Sequence, residues 1–179
     1  MQPAWYRLSG RKALWCNMVD YRIRNVTPAD LDAVTAVEAA CFPPAEAASR
    51  EAFSYRIAAF PERFFAAEAD GQIIGIINGC ASGLPVIEDA LFEPQGHEPD
   101  GKHQMVFGLA VLPEFQRQGI GAALMTHLIQ YARDTAMDRV ILTCKQEKLA
   151  YYGKFGFQNH GVSQSTHGGA VWYDMLLEF

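Results

Sequence analysis

The apolar positions change their period along the chain, and each change marks an element. Tyr21 to Val26 alternates as a strand. Thr27-Pro28-Ala29-Asp30 then reads as a helix start, with Thr27 as cap, Pro28 at the first helical position and Asp30 in the first turn. Leu31, Val34, Val37 and Cys41 recur at helical spacing, and Pro43-Pro44 stops that helix after Phe42. A second helix is predicted from Ala47 to Phe60, ended by Pro61. Arg63 to Glu68 and Gln72 to Cys80 read as two strands joined at Asp70-Gly71, a dipeptide suited to tight hairpins. Met105 to Leu112 is a continuous apolar run, too short and too β-branched at its ends for a helix, and His103 to Leu112 is predicted as the buried central strand. From Gly119 to Thr135, Ile120, Leu124, Leu128 and Tyr131 share one helical face. Arg139 to Cys144 is another buried strand, Glu147 to Lys154 a short helix, and Phe157 to Val162 and Ala170 to Phe179 the last two strands.

This order predicts an α/β fold of the α+β kind: a central mixed sheet flanked by helices, with two strand–helix crossovers in the second half. No internal repeat or interdomain linker interrupts residues 18–179, which read as one domain. Residues 1–17 are basic, contain tryptophan and lack periodicity. They are either an extension upstream of a start at Met18 or an arm packed on the surface.

Ala81 to Lys102 is a long polar connection carrying Glu88, Asp89, Glu93, Glu98 and Asp100. It is either a solvated loop with a short helix near Val86–Phe92, or an acidic lip that attracts a cation.

Half the residues are apolar and the formal net charge is -5, which suits a globular protein and argues against a nucleic-acid binder. No run is long enough to span a membrane. The four cysteines are scattered without a C-x-x-C pair, and the five histidines lack zinc-ligand spacing. The expectation is therefore reduced thiols in a cytoplasmic setting, with no metal.

The chemistry concentrates after the central strand. Gln116-Arg117-Gln118-Gly119-Ile120-Gly121 joins a strand to a helix. Unpaired N–H groups of a first helical turn, with the positive end of the helix dipole, make an anion site. Glycines let a phosphate approach the backbone, and Arg117 can add a charged contact. The pattern is neither a Walker loop nor a complete dinucleotide fingerprint.

Gln-x-x-Gly-x-Gly directly after LAVLPEF resembles the acyl-CoA pyrophosphate loop of the GNAT superfamily of N-acetyltransferases. The aromatic segment Tyr151-Tyr152-Gly153-Lys154-Phe155-Gly156-Phe157 resembles that family's closing motif. With EAACFPPAEAASREAFSYRIAAFPERFFAAEADGQIIG in the first half, residues 20–178 are most similar to the serotonin (arylalkylamine) N-acetyltransferase branch. The resemblance implies the GNAT fold and direct transfer of an acetyl group from acetyl-CoA to a primary amine. Main-chain groups of Leu109, Ala110 and Val111 would pair with the pantetheine arm like an added strand. Backbone N–H groups of Arg117, Gln118, Gly119, Ile120, Gly121 and Ala122 would hold the pyrophosphate. Tyr152 would protonate the departing thiolate. Phe42, Pro43, Met105 and Phe107 would wall the acceptor pocket. Many proteins of this fold are homodimers, and the residues do not choose between monomer and homodimer.

One departure matters. The branch places two histidines on the central strand, where they relay the amine proton through water. The matching residues here are Met105 and Phe107, and neither takes a proton. His103 shares their strand parity, and Glu68 is another proton acceptor within the first half. The leading expectation is a small-molecule amine acetyltransferase, for an arylalkylamine or polyamine. Its rivals are a protein or peptide N-acetyltransferase, and an acyl-CoA-binding sensor or pseudoenzyme that has lost its base.

Overall fold

The computed structural model describes residues 19–93 and 96–179. The expectations for residues 1–17 lie outside the described residues. The elements of the first half are β1 (Arg22–Asn25), α1 (Leu31–Cys41), α2 (Arg50–Ala59), β2 (Phe64–Ala69), β3 (Gln72–Asn78) and β4 (Ala81–Ser82). Those of the second are β5 (His103–Val106), β6 (Gly108–Val111), α3 (Ile120–Asp134), β7 (Arg139–Cys144), α4 (Leu149–Gly153), β8 (Gln158–Val162) and β9 (Tyr173–Glu178). The expected α+β mixed-sheet order is present, and the boundaries shift for local reasons.

A 3-10 turn over Pro28–Asp30 leads into α1. Its Asp30 Oδ2 accepts from the Thr27 N–H and hydroxyl, each at 2.8 Å, so the aspartate rather than the threonine does the capping. α2 begins at Arg50, later than Ala47, because the N–H groups of Glu46 and Ala47 turn back to Pro43 O. Ser49 then caps the helix through Ala52 N at 3.1 Å. Asp70 and Gly71 both take positive φ, 49° and 78°, as a two-residue hairpin turn with right-handed twist requires. Between β4 and β5 the chain forms a 3-10 turn, Asp89–Phe92, within the span expected to carry a short helix.

Two half-sheets share the core: β1-β2-β3-β6, all antiparallel, and β4-β5-β7-β9-β8, in which β5 and β7 run parallel. β2 and β3 of the first half-sheet are buried on both faces, which is why they read as nearly unbroken apolar runs. α3 covers one face with Ile120, Leu124 and Leu128 against Phe65, Ala67, Ile74 and Ile77. α1 and α2 cover the other with Val34, Val37, Phe53 and Ile57 against Phe64, Ala66, Ile73 and Ile76.

The central strand corrects the sequence reading. His103 to Leu112 is not one strand: it breaks at Phe107, and its halves belong to different half-sheets. The register explains the break. β3 pairs with β6 as Asn78↔Gly108, whereas β4 pairs with β5 as Ala81↔Gln104, a slip of one residue between them. One extra residue on the central strand is a β-bulge, which bends the strand and ends its pairing. Gly79 makes the bulge possible, since a Cβ there would lie 1.7 Å from Met105 O.

Candidate active site

Because the strand bends at Phe107, its two flanking partners cannot stay together. β5 remains paired to β7 as far as Val106↔Leu142. Beyond that pair β6 follows β3 away, and a wedge opens between β6 and β7. A cavity of about 400 Å³ fills it, with Phe107, Gly108 and Leu109 on one wall and Leu142, Thr143, Cys144 and Lys145 on the other.

The wall on the β6 side is an unpaired strand edge. Leu112 N donates to Ile74 O at 2.9 Å, and antiparallel pairs alternate, so Leu109 and Val111 turn their main-chain groups toward the wedge. Val111 O there accepts from Gln116 Nε2 at 2.9 Å and from Cys41 Sγ at 3.3 Å. Gln116 thereby ties the strand end to the turn that follows. In that turn Arg117 has φ 61° and Gly119 φ 84°, so successive N–H groups converge outward. Ala123 N closes the first helical bond onto Gly119 O at 2.9 Å, leaving Ile120, Gly121 and Ala122 N–H without helix partners. The two glycines have different tasks. Gly119 serves conformation, whereas a Cβ at Gly121 would lie 3.2 Å from the Tyr151 hydroxyl. The strand edge and this nest of donors form one track along which a long, anion-tipped ligand fits.

Tyr152, on α4, lines the cavity beside Cys144. Burial holds its hydroxyl far above the ordinary value, and Cys144 and Tyr151 push the same way. It stays protonated throughout the working pH range, as a proton donor must.

The opposite end of the cavity is built by α1, α2 and two loops. Phe42 and Pro43 line it where α1 ends. Phe92, from the polar connection, packs at a tilt against Phe107 at 5.1 Å and His167 at 4.7 Å between ring centres, forming an aromatic roof. Asp89 holds that roof to the β8–β9 connection by accepting from Ser165 and Thr166. The acidic side chains of this connection lie outside the cavity lining, and Phe92 is its contribution to the wall.

Three further expectations need correcting. Met105 is not a pocket residue: it is fully buried against Phe60, Cys80, Ile87, Leu91, Ile141 and Leu176. β5 is hydrogen-bonded along both edges, so no wedge opens beside it. His103 sits at the far end of that closed segment with Nδ1 against Leu84 O at 2.7 Å, away from the lining. Glu68, on β2 of the other half-sheet, accepts from Arg22 and Arg24 of the edge strand β1 at 2.8 and 2.5 Å.

Two buried charged residues that sequence reasoning missed line the cavity instead. Glu38, 5% exposed, binds Ala48 N through Oε1 at 3.0 Å, while its buried Oε2 has no hydrogen-bond partner. Burial raises its carboxyl above the ordinary range, against smaller pulls from the Ala48 N–H, Arg56 and His167. Arg56, 4% exposed, donates from Nη1 to Asn78 Oδ1 at 2.9 Å, and its guanidinium lies 4.6 Å from the Phe107 ring centre. Burial lowers it to about 10, with Glu38 opposing, so it remains a cation at neutral pH. The signal was present in the sequence. Val34, Val37, Glu38 and Cys41 share one helical stripe, as do Phe53, Arg56 and Ile57, and a charge on a core stripe marks an unusual site.

Residues 31–157 match the family model of the Acetyltransferase (GNAT) family. The chain belongs to the GNAT acetyltransferase family. Its fold agrees: this GNAT chain superposes on the GphF GNAT-like decarboxylase, solved in complex with isobutyryl-CoA, with a TM-score of 0.78 at 20% identity, over 88% of this chain and 98% of that one. Human N-acetyltransferase 8 is 33% identical over 103 residues, which cover 56% of this chain and 40% of that protein. The probable hydrolase YhcX of Bacillus subtilis (strain 168) is 29% identical over 170 residues, covering 88% of this chain and 32% of that protein. The chain thus spans less than half the length of either relative.

Proposed function

We propose that the chain transfers an acetyl group from acetyl-CoA to the primary amine of a small molecule bearing an aryl group. The carrying observation is the wedge at Phe107, in which an open strand edge leads from the helix nest to a cavity holding Tyr152 and Glu38. Acetyl-CoA supplies the activated acyl group. The N–H groups of Ile120, Gly121 and Ala122, with Arg117, bind its pyrophosphate, and the edges of Leu109 and Val111 bind its pantetheine arm. Most amines are cationic at neutral pH and attack only when neutral. Glu38 accepts that proton, directly or through one water, and its raised carboxyl makes it a stronger base than an exposed glutamate. Tyr152 gives a proton to the departing thiolate.

The roof of Phe92 over Phe107 and His167, and the walls from Phe42 and Trp172, favour a small aromatic acceptor over a peptide chain. The sensor reading draws on the missing histidines, and Glu38 answers it. Thiol release from acetyl-CoA, measured against arylalkylamines, polyamines and short peptides, tests the proposal. Turnover led by the arylalkylamines is expected. A preference for peptides overturns the small-molecule acceptor. CoA protection in thermal melts without turnover on any amine moves the reading to a sensor.

A further inference from the structure

The polar atoms around Gly108 are left incomplete in a complementary way. Glu38 Oε2 and Asn78 Nδ2 are buried, and neither has a hydrogen-bond partner. A Cβ placed on Gly108 would meet Asn78 Nδ2 at 3.5 Å and Glu38 Oε2 at 3.8 Å, so both border the same small space above the strand bend. The orientation of the Asn78 amide is fixed, because its oxygen must be the atom that accepts from Arg56. Arg56 itself is the third member. Asn78 takes one of its five N–H donors, and among the described residues no carboxylate lies within ion-pair distance of it. Its guanidinium stands over Phe107 and lines the cavity.

Glu38 acts on Arg56 through space but makes no ion pair with it, so the buried guanidinium keeps donors that a ligand's anion can take. Of the two lysines on the cavity wall, Lys145 is already paired with Glu46 at 2.7 Å and Lys148 is exposed to solvent. Among the described residues Arg56 is therefore the buried positive charge of the cavity that makes no ion pair, and through Asn78 it borders the space that Glu38 also faces. A ligand that satisfies both carries a carboxylate and an amine on the same carbon. The aromatic walls then receive its side chain.

We propose that the acceptor is an aryl α-amino acid, whose carboxylate is bound by Arg56 while its amine lies against Glu38. This rests on the acetyltransferase reading and narrows its substrate class. The same anionic contact could instead serve a carboxylate on the acyl group, and the test has an arm for each source.

With acetyl-CoA as donor, L-phenylalanine and L-tryptophan are compared with phenethylamine and tryptamine, which differ from them only by the carboxylate. The expected result is a kcat/KM about 10- to 100-fold higher for the amino acids, the range a charge-assisted bidentate contact supplies. In Arg56→Gln the ratio falls toward one, and in Arg56→Lys, which keeps the charge without the planar fork, it is intermediate. Equal use of amine and amino acid by the native chain overturns the proposal, as does an unchanged ratio in a folded Arg56→Gln. Succinyl-CoA replacing acetyl-CoA with phenethylamine is the second arm: a preference for that donor, lost in Arg56→Gln, assigns Arg56 to the acyl group and overturns the acceptor assignment. Thermal protection of the native protein's CoA complex supplies a readout that needs neither turnover nor a variant. If no amine is acetylated, the acetyltransferase reading fails. Protection by L-phenylalanine and not by phenethylamine still upholds Arg56 as the carboxylate site, and protection by neither overturns it.

Discussion

Glu38→Gln separates the chemical task of Glu38 from its structural one. The amide is the same size and keeps an oxygen to accept from Ala48 N, now at 3.0 Å, but it cannot hold a proton. Loss of a positioned general base lowers kcat/KM by roughly 10²–10⁴-fold. The folding consequence has the opposite sign. Burial raises the folded-state pKa of Glu38, so the native chain binds this proton more tightly than the unfolded chain. The group's contribution to stability is then greatest below its unfolded pKa and declines as pH rises through the folded value. Gln removes that penalty, so the variant should melt at the same temperature as the native protein or higher at neutral pH, with the gap closing on acidification. Glu38→Ala, by contrast, leaves the Ala48 N–H without its acceptor. That costs about 1–3 kcal/mol, or about 2–12 °C in Tm for a chain of this size. The assays are thiol release across pH and thermal melts of both variants. The native pH–rate profile should show an acid limb set by a carboxylate titrating above its ordinary range, and Gln should abolish that limb. Retention of both rate and acid limb in Glu38→Gln would reduce Glu38 to a pin for the α1–α2 connection.

The remaining expectations concern the wedge, the acid and the first helix cap. Tyr152→Phe should lower kcat by about 10²-fold or more, the range for loss of a general acid, while leaving the Kd for CoA within a few-fold; equal turnover removes the role. Gly79→Ala forces a Cβ into Met105 O and should cost about 3 kcal/mol or more, read as a loss of about 10 °C in Tm together with reduced CoA protection. A Tm within about 2 °C of the native value would show that the strands part easily there. Asp30 is held well below the usual carboxylate range, first by its two hydrogen bonds from Arg24 at 2.8 and 2.9 Å. Its stabilising effect is present above the unfolded aspartate pKa and is lost as pH falls, so Asp30→Asn should flatten the acid side of the stability curve. An unchanged acid side in denaturant titrations removes that contribution.

Local patterns decided most of the elements. The stripe Ile120, Leu124 and Leu128 repeats at helical spacing whatever it packs against, and Asp70-Gly71 prefers its turn before any strand pairs. The glycine-spaced turn after LAVLPEF was readable for the same reason, since backbone freedom and helix-end donors are properties of a few consecutive residues. Three features were decided only by tertiary structure. The break at Phe107 arises from a one-residue slip between pairings with β3 and β4, and no single strand contains that register. It moved Met105 from the expected pocket wall into the core and left His103 beside Leu84. The meeting of Glu38, Arg56 and Asn78 at Gly108 joins two helices and two strands that are remote in sequence. Periodicity states which face of an element is buried. Which other face it meets, and so which charges are brought together out of water, depends on packing, and there the proposed chemistry of this chain resides.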